Sequence, residues 1–227
     1  MKPSWIVGRA RWLASYHDVA RSANLGLGSL FWYQDALERI KVEGWPEPFE
    51  GYDDDTLNRA CVALAILSPE TNWDRLFRLF LDRHREWIAG DSESEDWPDL
   101  AGVPVYGSNR KKAERMFARS FEDGPPEGPT EIDAWSSLIH RRTAPKTHDF
   151  ARALMGDPTA VVIDRHSAIL ALGRPLKARS DYDLAVVIHL SAMGACRFDP
   201  GDPRDFQART WTAYRNGLLD PREVTQP

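Results

Sequence analysis

The chain has 227 residues, of which 42% are hydrophobic and 28% charged, and its net charge is −5. A chain of that mass buries roughly 70% of its extended surface on folding, and the composition excludes a disordered chain, a fibre and a disulfide-stapled miniprotein. With two cysteines, Cys61 and Cys196, it cannot build a four-cysteine iron–sulfur cluster or zinc ribbon by itself.

The start, Met1 to Arg21, carries Arg9, Arg11, His17 and Asp18 and has no unbroken apolar stretch, so no signal peptide is expected. Leu25 to Ile40 places Leu30, Phe31, Tyr33, Leu37 and Ile40 at helical spacing. Glu43 to Asp55 is rich in Gly, Pro and acids and reads as a loop. Leu57 to Leu67 is almost wholly apolar, as in a helix buried on all sides, and Pro69 ends it. Within it, Cys61 reads as a small buried hydrophobe. The longest apolar run, Ala60 to Leu67, is too short to span a bilayer. A cytoplasmic protein that makes no membrane contact is the expectation.

Thr71 is an expected N-cap and Asp74 a first-turn acid for the next helix. Trp73, Leu76, Phe77, Phe80, Trp87 and Ile88 mark its apolar face, and Gly90 its end. Asp91 to Asp99 is an acidic surface loop. Asn109 to Phe121 reads as a basic amphipathic helix, Gly124 to Pro129 as a break, and Glu131 to Ile139 as a short helix. His140 to Pro145 is a tight connection into a helix over Lys146 to Met155, which Gly156-Asp157-Pro158 stops. Ala160 to Ile163 is a short β-like run without strand partners. It leads through Asp164-Arg165-His166 into a helix ending at Leu172. Two more helices cover Tyr182 to Met193 and Asp205 to Asn216, and Pro221 to Pro227 is a tail. The expected class is all-α.

Charge is uneven along the chain. Tyr106 to Arg152 holds nine Lys/Arg against seven Asp/Glu, whereas the rest carries a net −7. Arg110-Lys111-Lys112 reads as a solvated helix face. Arg141-Arg142 with Lys146 falls on a turn between two short helices, where free N–H groups at a helix N-terminus favour an anion. A phosphate backbone is the expected ligand there. Lys146 and Asp164 stand 18 residues apart. A lysine can attack a sugar C1′ and pass through a Schiff base. A carboxylate can stabilise the positive charge that grows at C1′ as a glycosidic bond breaks. The bland alternative is a surface ion pair, with Asp164 as a helix N-cap. His166 reads as structural, since no companion His, Asp or Glu stands at ligand spacing.

Together these pieces resemble the helix-hairpin-helix DNA glycosylase superfamily, the group of endonuclease III, adenine glycosylase and 8-oxoguanine glycosylase. The matching segments are Asn109-Arg110-Lys111-Lys112-Ala113-Glu114, Thr143-Ala144-Pro145-Lys146-Thr147 and Val162-Ile163-Asp164-Arg165-His166. Upstream, Ala65-Ile66-Leu67-Ser68-Pro69-Glu70-Thr71 is similar to the segment that enters the gap left by a flipped base. The resemblance covers about Leu57 to Gly173, in order. It departs in the hairpin, where Arg142 and Ala144 replace glycines and Pro145 has no N–H, and at Glu70, where a neutral residue is usual.

The resemblance implies two helical subdomains flanking a DNA and base cleft. Residues 57–105 would be the central helical subdomain and 106–173 the helix-hairpin-helix subdomain, with helices of 1–56 and 174–227 packing around them. It implies Lys146 as nucleophile and Asp164 as its assisting carboxylate. Arg110, Lys111, Arg141, Arg142, Thr143 and Ala144 would contact DNA, and Glu70 and Asn72 would fill the vacated stack. Trp32, Tyr33, Tyr106 and Trp211 are candidates to stack on the extruded base. No metal or organic cofactor is implied, and a monomer acting on double-stranded DNA is expected. The substrate would be a damaged or modified base, with a phage hypermodified base, in a defence role, among the candidates. The alternative from another class is a helix-hairpin-helix DNA-binding module without catalysis. A third is a Schiff-base enzyme acting on a small carbonyl or nucleotide.

Overall fold

The computed structural model describes residues 3–22, 32–43, 54–69, 73–89, 107–122 and 126–215. Every regular element among them is a helix: α1 (Pro3–Ser22), α2 (Trp32–Glu43), α3 (Asp54–Leu67), α4 (Trp73–Ala89), α5 (Gly107–Glu122), α6 (Glu131–Ser137), α7 (Pro145–Leu154), α8 (Arg165–Leu172), α9 (Arg179–Met193) and α10 (Pro203–Arg215). The protein is all-α. No helix among the described residues is long and apolar enough to cross a membrane. Glu70, Asn72 and Tyr106 lie outside the described residues, as do Thr71, Gly90, the acidic loop 91–99 and the tail. The same holds for the side chains of Trp32, Trp87 and Ile88.

The chain divides into a middle unit, residues 34–157, and a terminal unit, residues 1–33 with 158–227. This differs from the expected 106–173 subdomain, which is cut after Asp157. The reason is packing. α8 lies against α1, α9 and α10, whereas α7 lies against α3 and α6.

In the middle unit α3 is the central helix, and α4, α5, α6 and α7 all pack on it. Residues Leu57 to Leu67 are buried without exception, as the unbroken apolar run demands. Each fully buried leucine or isoleucine there contributes roughly 2 kcal/mol. Asp54 and Asp55 stand in the first turn, where the helix dipole favours negative charge. Ser68 closes the other end, its hydroxyl donating to the Ala65 carbonyl at 2.9 Å. Thr130 caps α6 by accepting from the Asp133 amide at 3.1 Å. Arg152 on α7 ties the two short helices together, reaching Asp133 at 2.6 Å and Asp157 at 2.7 Å.

The terminal unit is built on α1, a span for which the sequence pattern marks no helix of its own. α1 packs on α8, α9 and α10. Leu13, Tyr16, Ile163, Leu170, Tyr182, Ile188 and Phe206 form the core around it. Arg9, also buried, donates to the carbonyls of Leu170 and Ala171 at the C-terminal end of α8, where a cation complements the helix dipole. At the other end of α8, Asp164 is the N-cap and accepts from the Ser167 amide at 2.7 Å. Gly173 terminates α8 with φ 72°, the left-handed conformation glycine adopts without a Cβ penalty.

The run Ala160 to Ile163 is buried and has no regular secondary structure. Its backbone groups are met by side chains instead of strands. The Gln207 amide accepts from Val162 N at 3.1 Å and donates back to Val162 O. The Tyr182 hydroxyl accepts from Ile163 N and donates to Val161 O, both at 3.3 Å. Buried backbone groups need such partners.

Candidate nucleic-acid interface

α5 presents Asn109, Lys112 and Arg115 at three-residue spacing, which places them along one side of the helix. Ala113 is fully buried and seats α5 on α3. Across from these polar residues runs the connection from α6 to α7. Between them lies a cleft of about 510 Å³, floored by Ile66, Pro69, Leu138 and Ile139 and lined by His140, Thr143, Ala144 and Thr147. Apolar floor, basic wall and the start of a helix thus meet in one concavity.

The turn is organised by His140. Its carbonyl accepts from the amides of Thr143 and Ala144, both at 3.0 Å, and from the Thr143 hydroxyl at 3.1 Å. Its ring Nδ1 accepts from the Arg142 amide at 3.2 Å. Ala144 has φ −137°, so the turn closes without positive φ at this position. The expected grip on phosphate by the amides from Arg142 onward is narrowed, because the amides of Arg142, Thr143 and Ala144 already donate to His140. The first amide inside α7 to donate back along the helix is His148, to Ala144 O at 3.0 Å. Lys146 and Thr147 precede it, and first-turn amides have no intrahelical acceptor. These two N–H groups and the positive end of the helix dipole are what the turn offers an anion. Pro145 sits at the first helical position, where its missing N–H costs nothing.

Of the basic residues expected at DNA, Lys111 and Arg142 are exposed and Arg110 is half-buried. None of these three lines the cleft; Lys112 and Arg115 do. The three-residue spacing of Asn109, Lys112 and Arg115 is the sequence signal that separates them from Arg110 and Lys111. Arg141 is engaged elsewhere. Its guanidinium holds the buried Asp149 carboxylate at 3.1 and 3.4 Å, and His148 reaches the same carboxylate at 2.8 Å. Arg141 therefore fastens the turn to α7. Thr143 and Ala144 do line the cleft.

Lys146 is exposed on the first turn of α7, in the middle unit. Asp164 is half-buried in the terminal unit. There its charge acts on two buried groups. Burial first, and then Asp164, pushes the Tyr33 phenol well above its usual range. Burial holds the His189 imidazole down to about 4, against a smaller opposing effect of the Ala185 carbonyl and Asp164. Tyr33 is 9% exposed, which removes it as an open stacking surface. Trp211 is half-buried and packs edge-on against His166, ring centres 6.2 Å apart, with Tyr214 on the same imidazole at 5.7 Å. Cys61 is fully buried and its thiol is pushed up to about 12, so it is an inert core residue.

The model of a family described as a family of unknown function (DUF7178) matches residues 10–218, and the chain belongs to that family. No curated protein and no solved structure matches the chain.

Proposed function

We propose that this member of DUF7178 is a DNA glycosylase of the helix-hairpin-helix kind, excising a damaged or modified base from duplex DNA and then cleaving the abasic strand. The observation that carries the reading is the cleft of the middle unit. Lys112 and Arg115 stand on one wall and the N-terminal turn of α7 on the other, over an apolar floor. Two cations and two helix-end amides suit a backbone phosphate, whose contacts position the duplex without reading its sequence. The net charge of −5 makes such a local site, and not bulk attraction, the route to binding.

In this reading Lys146, in its neutral form, attacks C1′ with its amine lone pair. The C1′–N bond breaks and the base leaves with the bonding electrons. Asp164 stabilises the positive charge that grows on the sugar. Ring opening gives an iminium between Nζ and C1′. Loss of a C2′ proton then expels the 3′-phosphate, and water hydrolyses the iminium to return the free amine. The protein works as a monomer on DNA in the cytoplasm.

Borohydride reduction on a duplex with one abasic site tests the reading without knowledge of the base. The wild type is expected to form a reduced covalent complex, and Lys146→Ala to form none. Asp164→Asn is expected to bind the duplex and to lose base release. A wild type that binds DNA but is never trapped sinks Lys146 as nucleophile. What then stands is either a glycosylase that uses Asp164 and water or a binding module, and release of free base from genomic and phage DNA decides between them.

A further inference from the structure

The terminal unit holds a cluster of metal-ligand side chains that the DNA chemistry does not use. A ring nitrogen of His17, a carboxylate oxygen of Asp18 and Sγ of Cys196 all lie within 4.8 Å of one another. His17 and Asp18 belong to α1, and Cys196 follows α9, so two segments far apart in sequence converge. His17 is fully buried, Asp18 is buried and Cys196 is half-buried, so the cluster is not sealed from solvent. We propose that His17, Asp18 and Cys196 bind a divalent cation of the zinc type, with water as the fourth ligand.

The donor set selects the ion. An imidazole, a carboxylate and a thiolate suit zinc; magnesium and calcium take oxygen ligands. The spacing fits as well. Zinc bonds to nitrogen and oxygen of about 2.0–2.1 Å set a tetrahedral N···O edge of roughly 3.4 Å. His17 Nδ1 and Asp18 Oδ1 are 3.4 Å apart, which is long for a hydrogen bond. A zinc–sulfur bond of about 2.3 Å sets edges to sulfur of roughly 3.6 Å, so, with all three atoms within 4.8 Å, the sulfur distances need to close by at most about 1.2 Å.

Asp18 retains the capacity to ligate. Its Oδ2 accepts from the Arg197 amide at 2.9 Å and its Oδ1 from the Phe198 amide at 3.3 Å. Each carboxylate oxygen has two lone pairs, so one on each is left. The two amides also fix the carboxylate, as outer partners of metal ligands do. The His17 ring is stacked on Phe206, centres 5.1 Å apart. Without a cation, the Asp18 carboxylate beside Cys196 opposes a thiolate there. A cation between them reverses the sign of that local field. On binding, Cys196 releases the proton it now directs at the Ala192 carbonyl, 3.3 Å away, and the thiolate lone pair goes to the metal. Nothing is oxidised or reduced, and one proton appears per ion bound.

The test uses the full chain stripped with a chelator. Zn²⁺ is titrated against a competing dye, with proton release followed in weak buffer, and Co²⁺ is titrated by absorbance. One ion and one proton per chain are expected. Cobalt should give a thiolate-to-metal charge-transfer band and the intense d–d bands of a four-coordinate site. Cys196→Ser, a near-isosteric change at a half-buried position, should abolish the charge-transfer band and weaken Zn²⁺ binding by more than about tenfold. His17→Gln should weaken it similarly where circular dichroism shows the helices intact. A wild type without the thiolate band overturns the proposal. So does Zn²⁺ affinity that is the same in Cys196→Ser, which would mark adventitious surface binding.

Discussion

Acidification should destabilise the terminal unit through His189. This side chain is 1% exposed on α9. Its Nδ1 lies 2.9 Å from the Ala185 carbonyl, so Nδ1 carries the hydrogen. Its Nε2 is buried with no hydrogen-bond partner among the described residues, and Phe206 packs edge-on at 6.0 Å. A proton added at Nε2 would be a buried charge with no partner of its own. Burial accordingly holds the folded-state value down to about 4, below the ordinary 6.5. The unfolded chain takes up the proton first as pH falls. Stability is therefore level above about pH 7.5, declines through the unfolded value, and stops declining below the folded value. The loss from this one group is about 1.4 kcal/mol by about pH 5.5 and about 2.6 kcal/mol by about pH 4.5, with a limit near ~3.4 kcal/mol. The first of these figures lowers Tm by about 3 to 6 °C. Urea unfolding of the wild type and His189→Gln at about pH 7.5 and about pH 5.5 isolates the effect, since the other groups titrate in both proteins. The variant should lose about 1.4 kcal/mol less than the wild type over that interval. Parallel losses in the two proteins would show that burial of His189 does not resist protonation.

Two further outcomes follow from the packing and the cleft. Gln207→Leu leaves the amide and carbonyl of Val162 buried without partners, at about 1–3 kcal/mol each. Urea denaturation should show a loss of about 3 kcal/mol, more than an ordinary surface change costs. Lys112→Ala combined with Arg115→Ala should lower the slope of log binding constant against log salt by about 1.8, at two phosphate contacts removed. The same double change should leave the unfolding midpoint almost unmoved, because both residues are exposed.

Elements held together by local physics could be read from the sequence. α3 announced itself as an unbroken apolar run, and α5 to α8 followed their caps and punctuation, including Asp164 before α8. α1 was missed because its inner face carries Arg9, His17 and Asp18, which interrupt any apolar stripe. Their partners are Leu170 and Ala171 for Arg9, and Arg197 and Phe198 for Asp18, all more than a hundred residues away. The α9 boundary was read at Tyr182, yet the helix begins at Arg179. Asp181 makes the difference: it accepts from the amides of Lys177 and Ala178 and forms two bonds with Arg174. Arg174 is the first cause holding its carboxyl well below the usual range. At the candidate interface the basic helix was legible, but which cations face the cleft depends on how Ala113 seats α5. The connection at His140 to Pro145 was legible as a turn, but its internal hydrogen bonds were not, since nothing local marks His140 as its organiser.

The division of the chain has a consequence for synthesis. The middle unit is an insertion between two segments of the terminal unit, and it is synthesised whole before residue 158 is added. It can fold while the ribosome still holds the rest, as domains commonly do. α1 cannot. Its partners α8, α9 and α10 are all encoded after the insertion. Until they emerge, Leu13 and Tyr16 have no core to enter, and Arg9 and Asp18 lack the partners they meet in the folded unit. A middle unit already folded brings its two ends to fixed positions. That spares the late pairing much of a loop-closure cost of about 4 kcal/mol. The insertion thus acts as a preassembled bridge, and a change that slows its folding would delay the burial of a helix made long before it.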